Sequence, residues 1–480
     1  MNRPHVVVLM ADQLRRDVLG CYGGGHSASP NIDALAGECA ALGAHTINCP
    51  LCVPSRISMV TGAWPHVNGA IVNGWDEPER PYGTCRDVRT LYEVLAEGGY
   101  RVEHLGVDHL RCDPPVQGRH ERIRFQARPD ECHQSLRARG LEVDYSDSRS
   151  PTPDYIDGRL VMRHYTNPNT IPWPGPAEEF LDPWITDRIV ETIEQASPAE
   201  PLALMGNFWL PHPPLSCPEP YFSMYDPDEI DLPETVGRWY EGQSPMQLVN
   251  LPGHVAAGTT AAGWRKAWAV YLGMVRLMDE GLGRIVAALK ARGLWDDALV
   301  VFTADHGEML GCHRLFQKMC MYESAIRVPM LVKPPAADRS EGGTGCSQPV
   351  FAPGVREQLT QHLDVAATIC DYAGLEVMPG SAGRSFRAVV EDPAAAGRDE
   401  VFAEFNGNSG RGFQQRAVVT PTHKYIHNHG YAPELYDLRA DPAETVNLCQ
   451  ADAPPPRAKA LRDRLRQWMH DTGDYIHMPD

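Results

Sequence analysis

No window of this chain approaches 18 consecutive apolar residues, so no segment offers itself as a membrane-spanning helix. Nor is there a run of lysine and arginine. The 44 basic residues are outnumbered by 62 acidic ones, and the formal net charge of −18 excludes the basic footprint that grips a nucleic-acid backbone. An anionic substrate would therefore need a locally positive site, made by a metal ion or a few focused basic residues that override the global sign. Paired cysteine spacing is absent as well. Thirteen cysteines, an odd number, are scattered over 480 residues, which predicts reduced thiols and a cytoplasmic location rather than a disulfide framework. The start, Met1-Asn2-Arg3-Pro4, runs into an apolar stretch too short for a secretory leader and without a small-residue cleavage site. No internal repeat is present.

What remains is ordinary globular usage, 43% hydrophobic and 22% charged. The length suits two or three domains, or one large α/β domain with an appendage. Residues 5–10 (His-Val-Val-Val-Leu-Met) form a β-branched run that predicts a parallel strand buried on both faces, ending at Ala11-Asp12-Gln13. Residues 29–36 predict a turn and helix start with Asn31 or Asp33 as cap. A helix over 91–99 should stop at Gly98-Gly99 and lead into a strand over 100–105. Residues 112–200 are rich in proline, arginine, aspartate and aromatics with weak periodicity, and read as a long, partly irregular insertion of the kind that lines substrate sites.

A strand over 202–209 empties into Pro211-His212-Pro213-Pro214. A helix over 264–292 precedes a strand over 298–303 that ends at Ala304-Asp305-His306-Gly307. Two core strands thus close on carboxylate or imidazole groups, at the sheet edge where open α/β folds bind ligands. Residues 359–374 read as helix. After Gly380 the composition shifts, and the rest reads as short strands over 401–405, 416–420 and 424–427 with a final helix over 456–471, so the expected division is a larger domain (1–375) and a small α+β subdomain (376–480).

The most specific motif is Cys52-Val53-Pro54-Ser55-Arg56, followed by Thr61-Gly62. It resembles the signature Cys-x-Pro-Ser-Arg of the formylglycine-dependent sulfatases, members of the alkaline phosphatase superfamily. The alternative for a single cysteine is a buried free thiol. The resemblance implies that a maturation enzyme oxidises Cys52 to formylglycine, whose hydrate offers two geminal hydroxyls: one attacks the ester, the other later expels the product. Arg56 would make a charge-assisted hydrogen bond near the nucleophile.

On the same resemblance Asp12 and Gln13 match the family's N-terminal Asp-(Asp or Gln), and Asp305 and His306 its later Asp-(Asn or His)-Gly. These four become the expected metal ligands, although each aspartate could instead cap a helix or turn. Three oxygen donors favour a hard cation, so Ca²⁺ is expected, with Mn²⁺ or Mg²⁺ as alternatives because of the imidazole. The ion would activate a formylglycine hydroxyl and neutralise an ester oxygen. The pairing of Gln13 with His306 is also similar to that of the related phosphonate monoester hydrolases.

His212 stands where family members carry an imidazole that touches the leaving oxygen, the role of a general acid. Lys318 stands where they place an ammonium on the transferred group, and His313 is near enough in sequence to substitute for it. Gly106-Val107-Asp108-His109-Leu110 departs from the family's Gly-Lys-x-His-Leu: Val107 replaces the lysine, while His109 remains a candidate base or a structural histidine. Further likenesses, at Gly20-Cys21-Tyr22-Gly23, Ile326-Arg327-Val328-Pro329 and Glu434-Leu435-Tyr436-Asp437-Leu438, spread along the chain.

The resemblance thus implies an α/β fold with a central, mostly parallel mixed sheet flanked by helices, and hydrolysis of a small-molecule sulfate monoester. A phosphonate monoester or phosphodiester hydrolase is the alternative, and a non-catalytic binding protein of the same fold a third. Trp173, Trp184, Trp209 and Trp239 are candidates for stacking on the alcohol half of a substrate. Homo-oligomerisation is left open.

Overall fold

The computed structural model of the chain describes residues 3–478 apart from 75–82, 142, 157–158, 337–350, 409–412 and 452. Eight strands make the central sheet: β1 (His5–Ala11), β2 (Ala40–Thr46), β3 (Arg101–Gly106), β4 (Ile123–Gln126), β5 (Leu202–Asn207), β6 (Ala298–Ala304), β7 (Met330–Lys333) and β8 (Gly354–Gln361). Their order is β8-β2-β7-β6-β1-β5-β3-β4. All neighbours pair in parallel except β7, which runs antiparallel to both β6 and β2.

Alternation along β1 explains why the sheet needs cover on both faces. Val7, Leu9 and Ala11 enter one core, and Val6, Val8 and Met10 the other. The first face is covered by α4 (Leu181–Glu194) and α5 (Ala261–Ala291), through Ile185, Ile189, Val270, Met274 and Met278. The second is covered by α2 (Cys52–Thr61), α3 (Leu91–Glu97) and α6 (Leu363–Ala373), through Val53, Ile57, Leu95 and Ile369. Each such aliphatic side chain contributes about 1.5–3 kcal/mol when fully buried, so the two cores hold the sheet rigidly under the site.

A second sheet is an antiparallel meander of β9 (Val401–Phe405), β10 (Gln415–Val419), β11 (His423–Asn428) and β12 (Glu434–Asp437). One face (Val401, Ala403, Phe405, Ala417, Ile426, Tyr436) merges with the main core. The other (Phe402, Val418, Tyr425, Leu435) packs on Leu461, Leu465, Trp468 and Met469 of α7 (Pro456–Thr472).

Several local expectations change. Helix α1 (Pro30–Ala36) starts after Ser29 as N-cap; Asp33 instead accepts hydrogen bonds from Cys21 N and Ser29 Oγ, which tie down the preceding turn. Residues 359–361 belong to β8, not to a helix, because Leu359, Thr360 and Gln361 pair with β2. The stretch 112–200 holds more regular structure than its composition suggests: β4, a helix at Pro129–Ala138, a hairpin of Arg149–Ile156 with Arg159–Thr166, and α4, whose apolar residues Leu181, Ile185, Ile189 and Ile193 recur every four positions.

Candidate active site

The parallel register of the sheet builds the site. Ala11 pairs with Ala304 and Met10 with Asn207, so Asp12, Asp305 and Asn207 emerge side by side where β1, β6 and β5 end. Helix α2 points its first turn at the same place, every one of its residues buried. Gly62 ends α2 in the left-handed region (φ 64°), and a Cβ there would lie 2.1 Å from Ser381 Oγ, which explains the glycine after Thr61. At Gly307 a Cβ would lie 2.0 Å from Ser324 O, so the chain can pass behind His306 only as glycine.

Arg56 ties these strand ends together. Its Nε donates to Asp305 Oδ2 at 2.8 Å, Nη2 to Asp12 Oδ2 at 3.1 Å and Nη1 to Asn207 Oδ1 at 3.1 Å. The guanidinium thus braces the carboxylates rather than pointing at a substrate. Burial works against its charge, but Asp305 and Asp12 outweigh that and hold it above its usual range. Burial, and then the neighbouring Asp305, push the Asp12 carboxyl up to about 8, against the pull of Arg56 and Lys318. For Asp305, burial opposes the charge, yet the Arg56 guanidinium and the Gln13 N–H hold the carboxyl below the usual range. Two like charges in a dry site repel each other, and a divalent cation between them would relieve the conflict.

Cys52 Sγ lies 3.1 Å from His306 Nε2 and 4.0 Å from Asp12 Oδ1. His306 Nδ1 is 3.1 Å from Gly307 O, an oxygen that can only accept, so Nδ1 carries the proton and Nε2 turns its lone pair inward. Burial lowers the imidazole to about 3 and keeps it neutral. His109 Nδ1 is 3.5 Å from Asp12 Oδ2. Ligand atoms of Asp12, Cys52, His109 and Asp305 all fall within 4.8 Å of one another, a spacing that could hold one metal ion. His306 Nε2 lies 3.9 Å from Asp12 Oδ1 and 3.6 Å from Asp305 Oδ1, and two carboxylates with an inward imidazole fit a hard or borderline divalent cation. Burial, and then Asp12, hold the Cys52 thiol well above its ordinary value of 9.0, so unmodified it is a protonated and feeble nucleophile.

Gln13 links this centre to the opposite wall. Its backbone is left-handed (φ 66°), its N–H donates to Asp305 Oδ1 at 3.0 Å, and its Oε1 accepts from Lys318 Nζ. Lys318 Nζ also lies 3.1 Å from His212 Nε2. Because His212 Nδ1 faces Pro213 O, Nε2 is the acceptor for the ammonium; burial, then Lys318, lower this imidazole well below 6.5. Asp12, Gln13, Cys52, Arg56, His109, His212, Asp305, His306 and Lys318 therefore form one connected cluster. His313 does not join it: its ring stacks on Tyr322 at 4.3 Å and Nε2 faces Ala443 O, because the chain turns through left-handed His313 and Arg314 before returning at Lys318. Val107, in place of the family lysine, is buried.

Four residues absent from the sequence reading belong to the surroundings. Asn207 holds Arg56, and it could have been found by the same strand-end rule as Asp12 and Asp305. Asn73 Oδ1 accepts from Val53 N at 3.2 Å, next to Cys52 in the chain. Asp182 Oδ1 accepts from Trp209 N and Leu210 N and so anchors the loop of His212. Glu308 contacts the Gln13 amide. Nothing local marks Asn73 or Asp182. Of the candidate tryptophans, Trp209 lies against His212 with ring centroids 4.5 Å apart, whereas Trp173 packs edge-on to Phe180 in the core.

The sulfatase family model matches residues 4–375, and the model of the N-sulphoglucosamine sulphohydrolase C-terminal region matches 311–471. The chain is 26% identical over 476 residues to an arylsulfatase of Clostridium perfringens, covering 96% of this chain and 94% of that one. It is 25% identical over 512 residues to a multifunctional alkaline phosphatase superfamily protein of Trinickia caryophylli, with 96% and 94% covered. Among solved structures, the phosphonate monoester hydrolase of Agrobacterium radiobacter superposes with a TM-score of 0.76 at 22% identity, over 98% of this chain and 96% of that one.

Proposed function

Because the chain belongs to the sulfatase family and is a sulfuric ester hydrolase, we propose that it works through a formylglycine made from Cys52 and one divalent ion held by Asp12, Gln13, Asp305 and His306. The observation that carries this reading is the meeting of the Asp12 and Asp305 carboxylates and the inward His306 Nε2 around a buried residue 52 at the ends of β1 and β6. The ion would supply Lewis acidity, and the hydrated aldehyde a hydroxyl nucleophile that the thiol cannot match.

The chain's own residues do the rest. Arg56 holds the two aspartates in register. Lys318 neutralises charge on the transferred group, and its ammonium, hydrogen-bonded to His212 Nε2, can pass a proton to that nitrogen, which delivers it to the departing alkoxide. His109, beside Asp12, is placed to accept the proton when the second hydroxyl expels the product. Ca²⁺ is the proposed ion, with Mn²⁺ or Mg²⁺ as competitors. The free thiols of the described cysteines suit the proposed cytoplasmic location.

Mass measurement of a peptide spanning residues 41–56, after expression beside a formylglycine-generating enzyme, tests the nucleophile. Replacement of the CH2SH group by CHO and reaction with a hydrazide probe are expected; an active protein with an intact thiol at residue 52 would sink the proposal. A second reading, hydrolysis of phosphonate monoesters or phosphodiesters by the same nucleophile, is favoured by Gln13, His306 and the missing lysine at Val107. Comparing rates on an aryl sulfate and a phenyl phosphonate decides between them, preference for the phosphonate selecting the second.

A further inference from the structure

We propose that Glu308 is a positioning residue that sets the orientation of the Gln13 amide, turning its oxygen toward Lys318 and the ion and its nitrogen away. This rests on the reading of Gln13 as a metal ligand and adds what makes a neutral amide serve there. A glutamine can present either end, and the two ends differ in sign: an NH2 group facing a cation repels it. Something must choose.

Two contacts make the choice. Gln13 Nε2 donates to Glu308 Oε2, while Gln13 Oε1 accepts from Lys318 Nζ. A carboxylate only accepts and an ammonium only donates, so the amide between them has one compatible orientation. Glu308 is itself held. Its Oε1 accepts from Leu310 N at 2.8 Å and from Gln317 N, and its carbonyl accepts from Arg15 Nη1 at 2.7 Å. Glu308, Gln13 and Arg15 are all buried. The same carboxylate thus organises the segment from Leu310 to Lys318, in which Leu310, His313, Arg314 and Gln317 adopt left-handed backbone that non-glycine residues seldom hold unaided. One side chain sets both the amide and the approach of the ammonium that it meets.

The substitution Glu308→Gln separates these two functions. The new amide oxygen can still accept from Leu310 N and Gln317 N, so the loop keeps its anchor. Its NH2, however, meets the NH2 of Gln13, and relief comes when Gln13 flips its nitrogen toward Lys318 and the ion. Loss of a group that orients a metal ligand typically weakens affinity about 10- to 100-fold, and that is the expected fall when Ca²⁺ or Mn²⁺ is titrated calorimetrically into EDTA-treated full-length E308Q. In Gln13→Glu, two carboxylates face each other, and ion binding is again expected to weaken.

The double variant Q13E/E308Q exchanges donor and acceptor while keeping the net charge, and should bind the ion more tightly than either single variant. Effects that simply multiply in the double variant, or E308Q binding the ion as wild type does, overturn the proposal. Should E308Q fail to fold, the double variant still decides, since a rematched pair must fold and bind. Gln13→Ala separates this inference from its premise. If that variant loses affinity while E308Q does not, orientation by Glu308 is wrong and the ligand reading stands; if neither loses affinity, the ligand reading itself is wrong.

Discussion

Substituting Arg56 by methionine tests how the site is held together. Methionine keeps the apolar stem of arginine but removes the guanidinium shared by Asp12, Asp305 and Asn207, all closed to solvent. Breaking a buried ion pair by deleting one partner costs about 3–5 kcal/mol, because the remaining charge stays desolvated and unpaired. Here two carboxylates are stranded together, so the metal-free variant should sit at the upper part of that range. A divalent ion bound between the carboxylates would restore compensation, and binding at about 1,000 times its dissociation constant contributes about 4 kcal/mol. The variant should therefore be severely loosened without the ion and near wild type with it.

Hydrogen exchange of the peptide over α2 (Cys52–Thr61) reads this directly, since about 3 kcal/mol of lost local stability speeds exchange by roughly two orders of magnitude. Adding Ca²⁺ or Mn²⁺ should slow it again. Acceleration of less than about fivefold in the metal-free variant, corresponding to about 1 kcal/mol, would refute the bracing role argued from these distances.

Three other outcomes are expected. Asp182→Ala releases Trp209 N and Leu210 N and frees the loop of His212; kcat should fall by up to about 100-fold from misplacement alone, with ion affinity unchanged by calorimetry. Trp468→Ala removes a ring stacked on Phe402 at 4.8 Å and set edge-on to Trp64 at 5.0 Å, and should cost about 3–5 kcal/mol, visible as early proteolytic release of α7. His66, in the short helix Pro65–Asn68, is paired with Glu404 of β9; burial alone would lower its pKa, but Glu404 outweighs this and raises it above 6.5. A base whose pKa is raised by folding contributes its stability below the ordinary value and loses it as pH climbs through the folded value. Melting temperature should thus fall on alkalisation in that window, and Glu404→Gln should flatten the slope; an unchanged slope would contradict the pairing.

Much of the frame was legible in the chain. A strand buried on both faces must be rich in β-branched residues, and the polar residues that close such strands stand at the ligand edge of the sheet, so β1 and β6 announced Asp12 and Asp305. The first three strands of the C-terminal meander and α7 were readable for the same reason, since their apolar periods are local. The helical reading of 359–361 failed because Leu359, Thr360 and Gln361 carry no strong local preference and take their conformation from pairing with β2. His313 lay near enough to Lys318 in sequence to substitute for it, but a series of left-handed residues turns it toward Tyr322.

The sequence by itself determined which chemical groups are available: a cysteine in its signature, two strand-ending aspartates, an amide, imidazoles and a lysine. Only the tertiary structure decided their states and orientations. Arg56 becomes a brace because β1, β5 and β6 end together, His306 turns Nε2 inward because Gly307 O takes its other nitrogen, and Gln13 presents oxygen because Glu308, 295 residues away, holds its nitrogen. Periodicity and motifs report on neighbours along the chain, whereas charge, tautomer and amide orientation are set by neighbours in space, brought together by strand pairings that no local pattern encodes.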